Sequence, residues 1–246
     1  MRRVGILGGM GPEATVLILQ RLIAAVPARD DADHIPLIVD QNPQVPSRIK
    51  RLIEGTGDDP APVLAAMARR LVAAGAEALA MPCNTAHHYA PDIRAAVGVP
   101  FLDMVALSAA HAARIAKGAR RVGILASPAV RKVKLFDAAL AAQGLEAAYP
   151  RDEAALLSAI RTIKAAGPTD AARATLRAAS EDLLAQGARV QMIACTEFSL
   201  IAGSVATDAE SFDTLDRLVS AIVEFATMTD AAPAPAIVKE ARVRQD

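Results

Sequence analysis

The stretch at residues 4–12, "VGILGGMGP", returns in altered form at residues 122–130 as "VGILASPAV". In both places an apolar run ends in small residues, as a buried strand does when it enters a loop at the edge of a parallel sheet. The two cysteines repeat at a similar interval, because 118 residues separate Val4 from Val122 and 112 separate Cys83 from Cys195. A repeated tetrapeptide alone could arise by chance. Two landmarks that agree this closely indicate two related halves.

Short apolar runs alternate with Ala-rich helical patterns along both halves. We expect strands at residues 2–9, 35–40, 76–82, 119–127, 145–149 and 188–194. We expect helices at residues 12–26 and 60–75, from 128 to about 143, and within 151–186. This alternation predicts an α/β fold with parallel sheets. The repeat divides it into two pseudo-symmetric lobes with an active-site cleft between them.

The expected lobe boundaries follow from the same pattern. The first lobe is predicted at residues 1–102 together with a C-terminal helix at about 209–228. The second lobe is predicted at residues 103–208, and residues 229–246 are expected to form a loose tail.

Composition excludes several classes of protein. The 27 Lys and Arg residues balance 27 Asp and Glu residues, so neither a nucleic-acid partner nor a membrane-surface partner is indicated. No apolar run reaches the roughly 18 residues of a transmembrane helix, and the N-terminus lacks the features of a signal peptide. We therefore expect a soluble cytoplasmic protein, in which two cysteines are not expected to form a structural disulfide.

Each cysteine follows an apolar strand and precedes polar residues, Asn84 and Thr85 in one half and Thr196 and Glu197 in the other. A lone cysteine is more often a small buried hydrophobic residue, but a matched pair in a repeated context indicates function. If the halves face each other, the thiols meet across a cleft at the carboxyl edges of the sheets. There, helix N-termini would favour thiolates.

Two thiols on opposite sides of one carbon suit the inversion of a stereocentre. One base must remove the proton, and an acid must return a proton to the other face. A thiolate and a thiol can exchange these roles for the two enantiomers. The pair therefore predicts a racemase or epimerase that needs no organic cofactor.

Five segments in order resemble the aspartate/glutamate racemase superfamily, most of all its aspartate racemase branch. They are "VGILGGMGPEAT", "NPQVPSR" ending at Arg48, "MPCNTAH", "IKAAG" around Lys164, and "ACTEF". The resemblance covers residues 4 to about 200. It implies two α/β lobes with the site between them, a homodimer, and activity on an acidic amino acid without pyridoxal phosphate or a metal ion.

The resemblance also implies roles for individual residues. Cys83 and Cys195 would be the two acid/base groups, and Arg48 would hold the substrate's side-chain carboxylate through its planar fork. Lys164 would provide a second carboxylate contact. Without the resemblance, Arg48 and Lys164 would read as solvated helix residues.

Donors for the substrate's α-carboxylate are expected from Asn84, Thr85 and Thr196, which otherwise would simply cap helices. Glu197 would receive the substrate ammonium or orient Cys195, and its charge would raise the pKa of that thiol. The remaining implied substrate contacts are Met10, Gly11, Gln44 and Ser127. His87 belongs to the "CNTAH" motif and is expected to brace its turn.

Departures from the family pattern leave the substrate open. The loop "GGMGP" and Glu197 argue against a glutamate racemase, which generally carries an Asp-Ser-Gly type loop and a histidine after the second "CT". Ser47, Val130 and Phe136 depart from the aspartate branch, where an acidic residue, a hydroxyl and a tyrosine are usual.

One alternative uses the first glycine loop. Residues 9–14 fit the dinucleotide pattern G-x-G-x-x-A after a strand. The acidic residue expected about 20 positions later is missing, since Asp40 comes late, and Pro12 lacks a backbone N–H. We prefer glycines that let the backbone approach a small substrate. The expected function is an aspartate-type racemase. The alternatives are a broad-specificity racemase, a related cysteine-dependent isomerase, and a protein that binds acidic metabolites or nucleotides.

Overall fold

A computed structural model describes residues 1–228, so the tail predicted at residues 229–246 lies outside the described residues. Within residues 1–228 the strands form two sheets of four strands each, and every strand pair is parallel. The first sheet, in the order β2-β1-β3-β4, contains β1 (Val4–Gly8), β2 (Leu37–Gln41), β3 (Ala78–Ala80) and β4 (Phe101–Leu102). The second sheet, in the order β6-β5-β7-β8, contains β5 (Arg121–Leu125), β6 (Glu146–Ala148), β7 (Val190–Ile193) and β8 (Glu210–Asp213).

Helices connect the strands in both halves. Before β5 the chain forms α1 (Pro12–Ala25), α2 (Ala61–Ala73), α3 (Ala90–Ala96) and α4 (Met104–Ile115). After β5 it forms α5 (Pro128–Lys132), α6 (Asp137–Ala141), α7 (Glu153–Ala166), α8 (Asp170–Ala185), α9 (Thr196–Ser199) and α10 (Thr214–Thr227). Shorter turns lie at Asp31–Asp33, Lys50–Glu54, Thr85–Tyr89 and Ala202–Ser204. Proline in the first turn of α1, α2 and α5 suits helix starts, where a backbone N–H has no partner within the helix.

Helices cover both faces of each sheet. In the first half, α2 and α3 pack on one face, and α1 and α10 pack on the other. In the second half, α7 and α8 cover one face, and α4 and α6 cover the other. Burial on both faces explains why the central strands read as continuous apolar runs rather than as alternating patterns.

The repeat in the sequence corresponds to equivalent central strands, β1 and β5. Each lies second in its sheet, next to the strand that precedes a cysteine. Gly5 and Gly123 occupy the same position in the two VGIL motifs, and a Cβ at either would come within 2.8 Å of a leucine side chain. The shared glycine is therefore explained by close packing of neighbouring side chains, from Leu79 of β3 at Gly5 and from Leu183 of α8 at Gly123. The predicted α/β fold with two parallel-sheet lobes is confirmed.

Two predicted elements are wrong in detail. The helix expected from residue 128 to about 143 is two short helices, since Lys134 between them has φ of 51°. The C-terminal helix expected from about residue 209 begins only at Thr214, because Glu210–Asp213 pair with β7 as an edge strand of the second sheet. Helix α10 itself packs against α1, β3 and β4 of the first half.

None of the helices within residues 1–228 combines the length and the apolar character needed to cross a membrane.

Candidate active site

The third strand of each sheet in spatial order delivers one cysteine. Cys83 follows β3 after two residues, and Cys195 follows β7 after one. Both are free thiols and nearly buried, with 7% and 6% of their surface exposed. Both line one cleft of about 290 Å³ at the carboxyl ends of the two sheets. Ligands of α/β folds bind at this edge, and the volume suits a small molecule.

The cleft gathers side chains from both halves. Nine residues predicted for the site line it: Met10, Gly11, Arg48, Cys83, Thr85, Ser127, Lys164, Cys195 and Glu197. Its wall also contains Gly9, Pro12, Glu13, Pro43, Val45, Ser47, Ile49 and Ile160. Lys164 faces the cleft because it lies one turn after Ile160 on the same side of α7.

Three predicted residues do not line the cleft. Gln44 is exposed, and its backbone N–H donates to Asn42 Oδ1 at 3.0 Å in the loop after β2. Asn84 is buried, and its side chain donates to Thr214 Oγ1 at 3.1 Å and forms no capping bond to the turn Thr85–Tyr89 that it precedes. Thr196 is buried in the first turn of α9, where Cys195 itself holds the N-cap position. The direct contacts predicted for these side chains are therefore not visible in the cleft.

A carboxylate connects Cys195 with Lys164. Cys195 Sγ donates to Glu197 Oε2 at 2.9 Å, and the other oxygen of Glu197 pairs with Lys164 Nζ. Burial of the thiol and the adjacent carboxylate of Glu197 raise the pKa of Cys195 well above its usual range. Burial lowers the pKa of Lys164, but the Glu197 carboxylate outweighs burial and keeps that pKa above its ordinary value. Cys195 is therefore held as a thiol, next to an ammonium that stays charged.

A buried histidine holds the turn at Cys83. The Met104 backbone N–H donates to His87 Nε2 at 3.2 Å, so this nitrogen carries no proton. His87 Nδ1 must then carry the proton and donate to the Cys83 carbonyl, which lies 2.8 Å away. Burial lowers the pKa of His87, in agreement with a neutral ring. His87 braces the turn, as expected from the sequence.

Arg48 lines the cleft, and its guanidinium is bonded on one side to the loop before it. Its Nη1 donates to the carbonyls of Val45 at 3.2 Å and Pro46 at 2.9 Å. These bonds engage one nitrogen and leave the Nε–Nη2 edge, which matches the two oxygens of a carboxylate. Among residues 1–228 no Asp or Glu side chain pairs with Arg48, whereas Lys164 already has Glu197. Of these two cations, Arg48 is therefore the one whose charge is available to bind a substrate carboxylate.

The first glycine loop closes one side of the cleft. At Gly9, where φ is 90°, a Cβ would lie 2.4 Å from the carbonyl carbon of Asn42, so only glycine fits. At Gly11, a Cβ would lie 3.5 Å from Lys164 Nζ and 3.7 Å from Glu197 Oε1. The loop of the first half thus meets the ion pair of the second half.

Sequence reasoning missed Glu13 and the contacts that join the two sides of the cleft. Glu13 lies in the first turn of α1, just after the glycine loop, which is the one signal that could have identified it. Across the cleft, Arg161 pairs with Glu54 at 2.9 Å, and Lys132 Nζ donates to the Ile53 carbonyl at 3.1 Å. These bonds tie the turn after Arg48 to the second half. They depend on how the lobes face each other, which no local pattern encodes.

Within residues 1–228, no group of three or more His, Cys, Asp or Glu side chains is arranged to hold a metal ion.

Comparison with known proteins adds a family assignment. Residues 7–223 match the model of the Asp/Glu/Hydantoin racemase family. A broad-specificity amino-acid racemase, RacX of Bacillus subtilis, is 32% identical over 106 residues, which cover 42% of this chain and 45% of that protein.

Solved structures match over most of the chain. An aspartate racemase from Picrophilus torridus superposes with a TM-score of 0.79 at 26% identity, covering 92% of this chain and 94% of that one. An aspartate racemase homologue from Pyrococcus horikoshii superposes with a TM-score of 0.71 at 24% identity, covering 93% and 100%. The second match supports the fold alone.

Proposed function

The chain belongs to the Asp/Glu/Hydantoin racemase family, and from this premise we propose that it is a cofactor-independent amino-acid racemase acting on aspartate. The observation that carries the proposal is the pair of cysteines, one from each half, lining one small cleft. Family membership supports the isomerase chemistry. The choice of aspartate rests on the available guanidinium edge of Arg48 and on the likeness to an aspartate racemase.

The proposed reaction moves one proton at each step. For one enantiomer, the Cys83 thiolate takes the proton from Cα, so that the C–H bond breaks and an S–H bond forms. The electron pair moves into the α-carboxylate, which becomes enolate-like. Cys195, held as a thiol by Glu197, then gives its proton to the opposite face. For the other enantiomer the two cysteines exchange roles.

Stabilisation of the developing charge is the main requirement, because no organic cofactor takes up the electron pair in this scheme. Thr85 lines the cleft beside Cys83 and is proposed to donate to the α-carboxylate. The backbone N–H of Thr196 has no partner within the short helix α9, so it can donate as well. Lys164 adds positive charge at the end of the cleft where Glu197 lies.

The side-chain carboxylate of aspartate is assigned to the Nε–Nη2 edge of Arg48. A bidentate pair fixes both position and orientation, which places Cα between the thiols. The substrate ammonium is assigned to the cleft carboxylates, Glu197 or Glu13. Met10, Gly11 and Ser127 complete the proposed contacts as lining residues.

A broad-specificity racemase is the second candidate. The partial match to RacX supports it, and so does the ion pair of Lys164 with Glu197, which leaves one available cation rather than two for an acidic side chain. Such an enzyme would accept neutral amino acids at rates comparable to aspartate. The two candidates share the thiol chemistry and differ only in the substrate.

Purified protein without added cofactor, incubated with single enantiomers of aspartate, glutamate, asparagine and alanine, tests the proposal. Chiral chromatography should show the opposite enantiomer of aspartate formed fastest, and Cys83→Ser and Cys195→Ser should each abolish the reaction. Comparable turnover in either variant would overturn the two-thiol scheme. Similar rates for all four amino acids would select the broad-specificity candidate.

The proposed function carries expectations for the cellular compartment and for the assembly state. Both thiols must stay reduced, which suits a cytoplasmic enzyme. Assembly as a homodimer remains a prediction from the resemblance, and light scattering coupled to size-exclusion chromatography checks it.

A further inference from the structure

One buried junction contacts the turns after both cysteines. Strand β8 of the second sheet ends at Asp213, and α10, which packs on the first half, begins at Thr214. Both residues are almost fully buried, with 5% and 0% of their surface exposed. Their place in the chain makes them a direct connection between the second sheet and a helix of the first half.

Thr214 bonds to both cysteine-bearing segments. Its hydroxyl donates to the carbonyl of Ile193, the last residue of β7, at 2.9 Å. The same oxygen accepts from Nδ2 of Asn84, the residue after Cys83, at 3.1 Å. One hydroxyl thus joins the segment that delivers Cys195 to the turn that carries Cys83.

The chemistry of the groups fixes the direction of both bonds. A carbonyl can only accept, so the single hydroxyl proton of Thr214 is committed to Ile193. Towards Asn84 the Thr214 oxygen can then only accept, and the amide must turn its nitrogen to it. Asn84 Oδ1 is left on the other side, buried and without a partner among the described residues. The hydroxyl of Thr214 therefore sets the orientation of the side chain next to Cys83.

Asp213 adds a second set of bonds at the same junction. Its Oδ1 accepts from Ser199 Oγ at 2.9 Å, at the end of the short helix that follows Cys195. Its Oδ2 accepts from Arg21 Nη1 of α1, in the first half, at 2.7 Å. The carboxylate thus ties the Cys195 turn to the first half independently of Thr214.

We propose that Thr214 is a positioning residue that fixes the spacing of the two cysteine-bearing turns, an inference that rests on the proposed racemase function. Proton transfer requires each thiol within hydrogen-bond reach of the same Cα. A displacement of about 1 Å at a reacting group can cost about 100-fold in rate. The hydroxyl supplies this constraint without touching substrate.

Thr214→Val tests the inference, since valine keeps the shape and removes both hydrogen bonds. We expect kcat to fall about 10- to 100-fold, with KM changed less than about threefold because the lining residues remain. Thr214→Ser retains the hydroxyl and should recover most of the activity. Ser108→Ala is the matched control, because it removes a buried hydroxyl that has no partner in the described part of the chain.

A second measurement distinguishes positioning from a merely structural role. In D₂O, wild-type enzyme should place deuterium in the product enantiomer and little in the recovered substrate. In Thr214→Val the opposite thiol is misplaced, so the carbanion persists while the S–H that formed on the first cysteine exchanges its proton for a deuteron of D₂O. Return of this deuteron to the face that lost the proton should then place deuterium in the recovered substrate. The proposal is overturned if the wild-type enzyme racemises and Thr214→Val has the same kcat and the same deuterium content in recovered substrate. It is also overturned if Thr214→Ser loses as much activity as Thr214→Val.

Other outcomes also decide. If Thr214→Val fails to fold, Asn84→Ala, which loses the bond to the Thr214 hydroxyl, should show a lower kcat and the same deuterium pattern, and wild-type behaviour would overturn the proposal. If the wild-type protein racemises no amino acid, the proposed function fails. Urea denaturation of Thr214→Val, Asn84→Ala and the double variant then tests the junction by itself. If the two single variants lose amounts of unfolding free energy that add up to the loss in the double variant, Thr214 and Asn84 are not coupled and the inference is refuted. A double variant that loses less than this sum would support the coupling.

Discussion

Replacing Arg48 with lysine tests the assignment of the substrate's side-chain carboxylate. Arginine has five N–H donors, and Nη1 uses its pair on Val45 and Pro46, at 3.2 and 2.9 Å. The Nε–Nη2 edge remains for two parallel bonds to a carboxylate. Lysine keeps the charge but offers a single point of contact, so at least one charge-assisted hydrogen bond is lost.

The size of the effect follows from that bond. A hydrogen bond to a charged group contributes about 1.5–3 kcal/mol. Since about 1.4 kcal/mol corresponds to tenfold, kcat/KM for aspartate should fall about 10- to 100-fold in Arg48→Lys. For asparagine, whose neutral amide does not form the ion pair, the loss should stay within about threefold.

The assay compares aspartate and asparagine as substrates of the wild-type protein, Arg48→Lys and Arg51→Lys. Arg51 lies on the same turn but is exposed and outside the cleft, so its replacement is the matched control. Protection of Cys83 from alkylation by increasing aspartate gives the affinity independently of turnover. Equal losses for aspartate and asparagine in Arg48→Lys, with unchanged protection, would refute the carboxylate assignment.

Further predictions concern the groups with shifted pKa values and the assembly state. Glu197→Gln removes the charge beside Cys195, so alkylation of this thiol, mapped by mass spectrometry, should reach half its maximal rate at a lower pH than in wild type. Glu13→Gln is the control, because Glu13 also lines the cleft but does not bond the thiol, and it should leave the pH profile of Cys195 alkylation unchanged. The account would be contradicted if Glu197→Gln also left that pH profile unchanged. Burial lowers the pKa of His87 in the folded state. When the pH falls below about 6.5, the pKa of histidine in the unfolded chain, the unfolded chain therefore binds a proton that the folded protein does not. The free energy of unfolding should then decrease, by at most about 1.4 kcal/mol per pH unit. Urea denaturation over about two pH units around 6.5 checks this. The dependence of the unfolding free energy on pH should be weaker in His87→Gln than in wild type, and unchanged in His88→Gln, since His88 is exposed. The predicted homodimer should elute at about twice the mass of the chain, and a monomer that is fully active would show that the cleft needs no second copy.

Much of the fold could be predicted from the sequence because its signals are local. The central strands carry the same VGIL motif, and each is buried on both faces, which makes the apolar runs easy to identify. The strand before Cys83 is likewise an uninterrupted apolar run, and in the strand before Cys195 only Gln191 interrupts the run. Pro12 and Pro60 mark helix starts to within one residue.

Elements defined by distant partners could not be predicted. Strand β8 has the polar sequence "ESFD", and only its pairing with β7 makes it a strand. The break between α5 and α6 depends on the left-handed conformation of Lys134, a residue without strong turn preference. In both cases tertiary contacts decide the local structure.

The candidate site divides in the same way. Residues next to a strand end, such as Cys83 and Cys195, could be placed from the sequence. Arg48 and Lys164 came from the family resemblance, since on their own they read as surface residues. The orientation of Asn84 depends on Thr214, which is 130 residues away, so the sequence led only to a predicted contact with the substrate's α-carboxylate, with helix capping as the alternative role.

The most direct test of the central claim is the early time course of L-aspartate with the purified protein in D₂O, followed by NMR and chiral analysis together. The two-thiol account predicts D-aspartate that carries deuterium at Cα from its first appearance, while the remaining L-aspartate keeps its proton. D-aspartate that retains the original proton would show that one group serves both faces and would contradict the account.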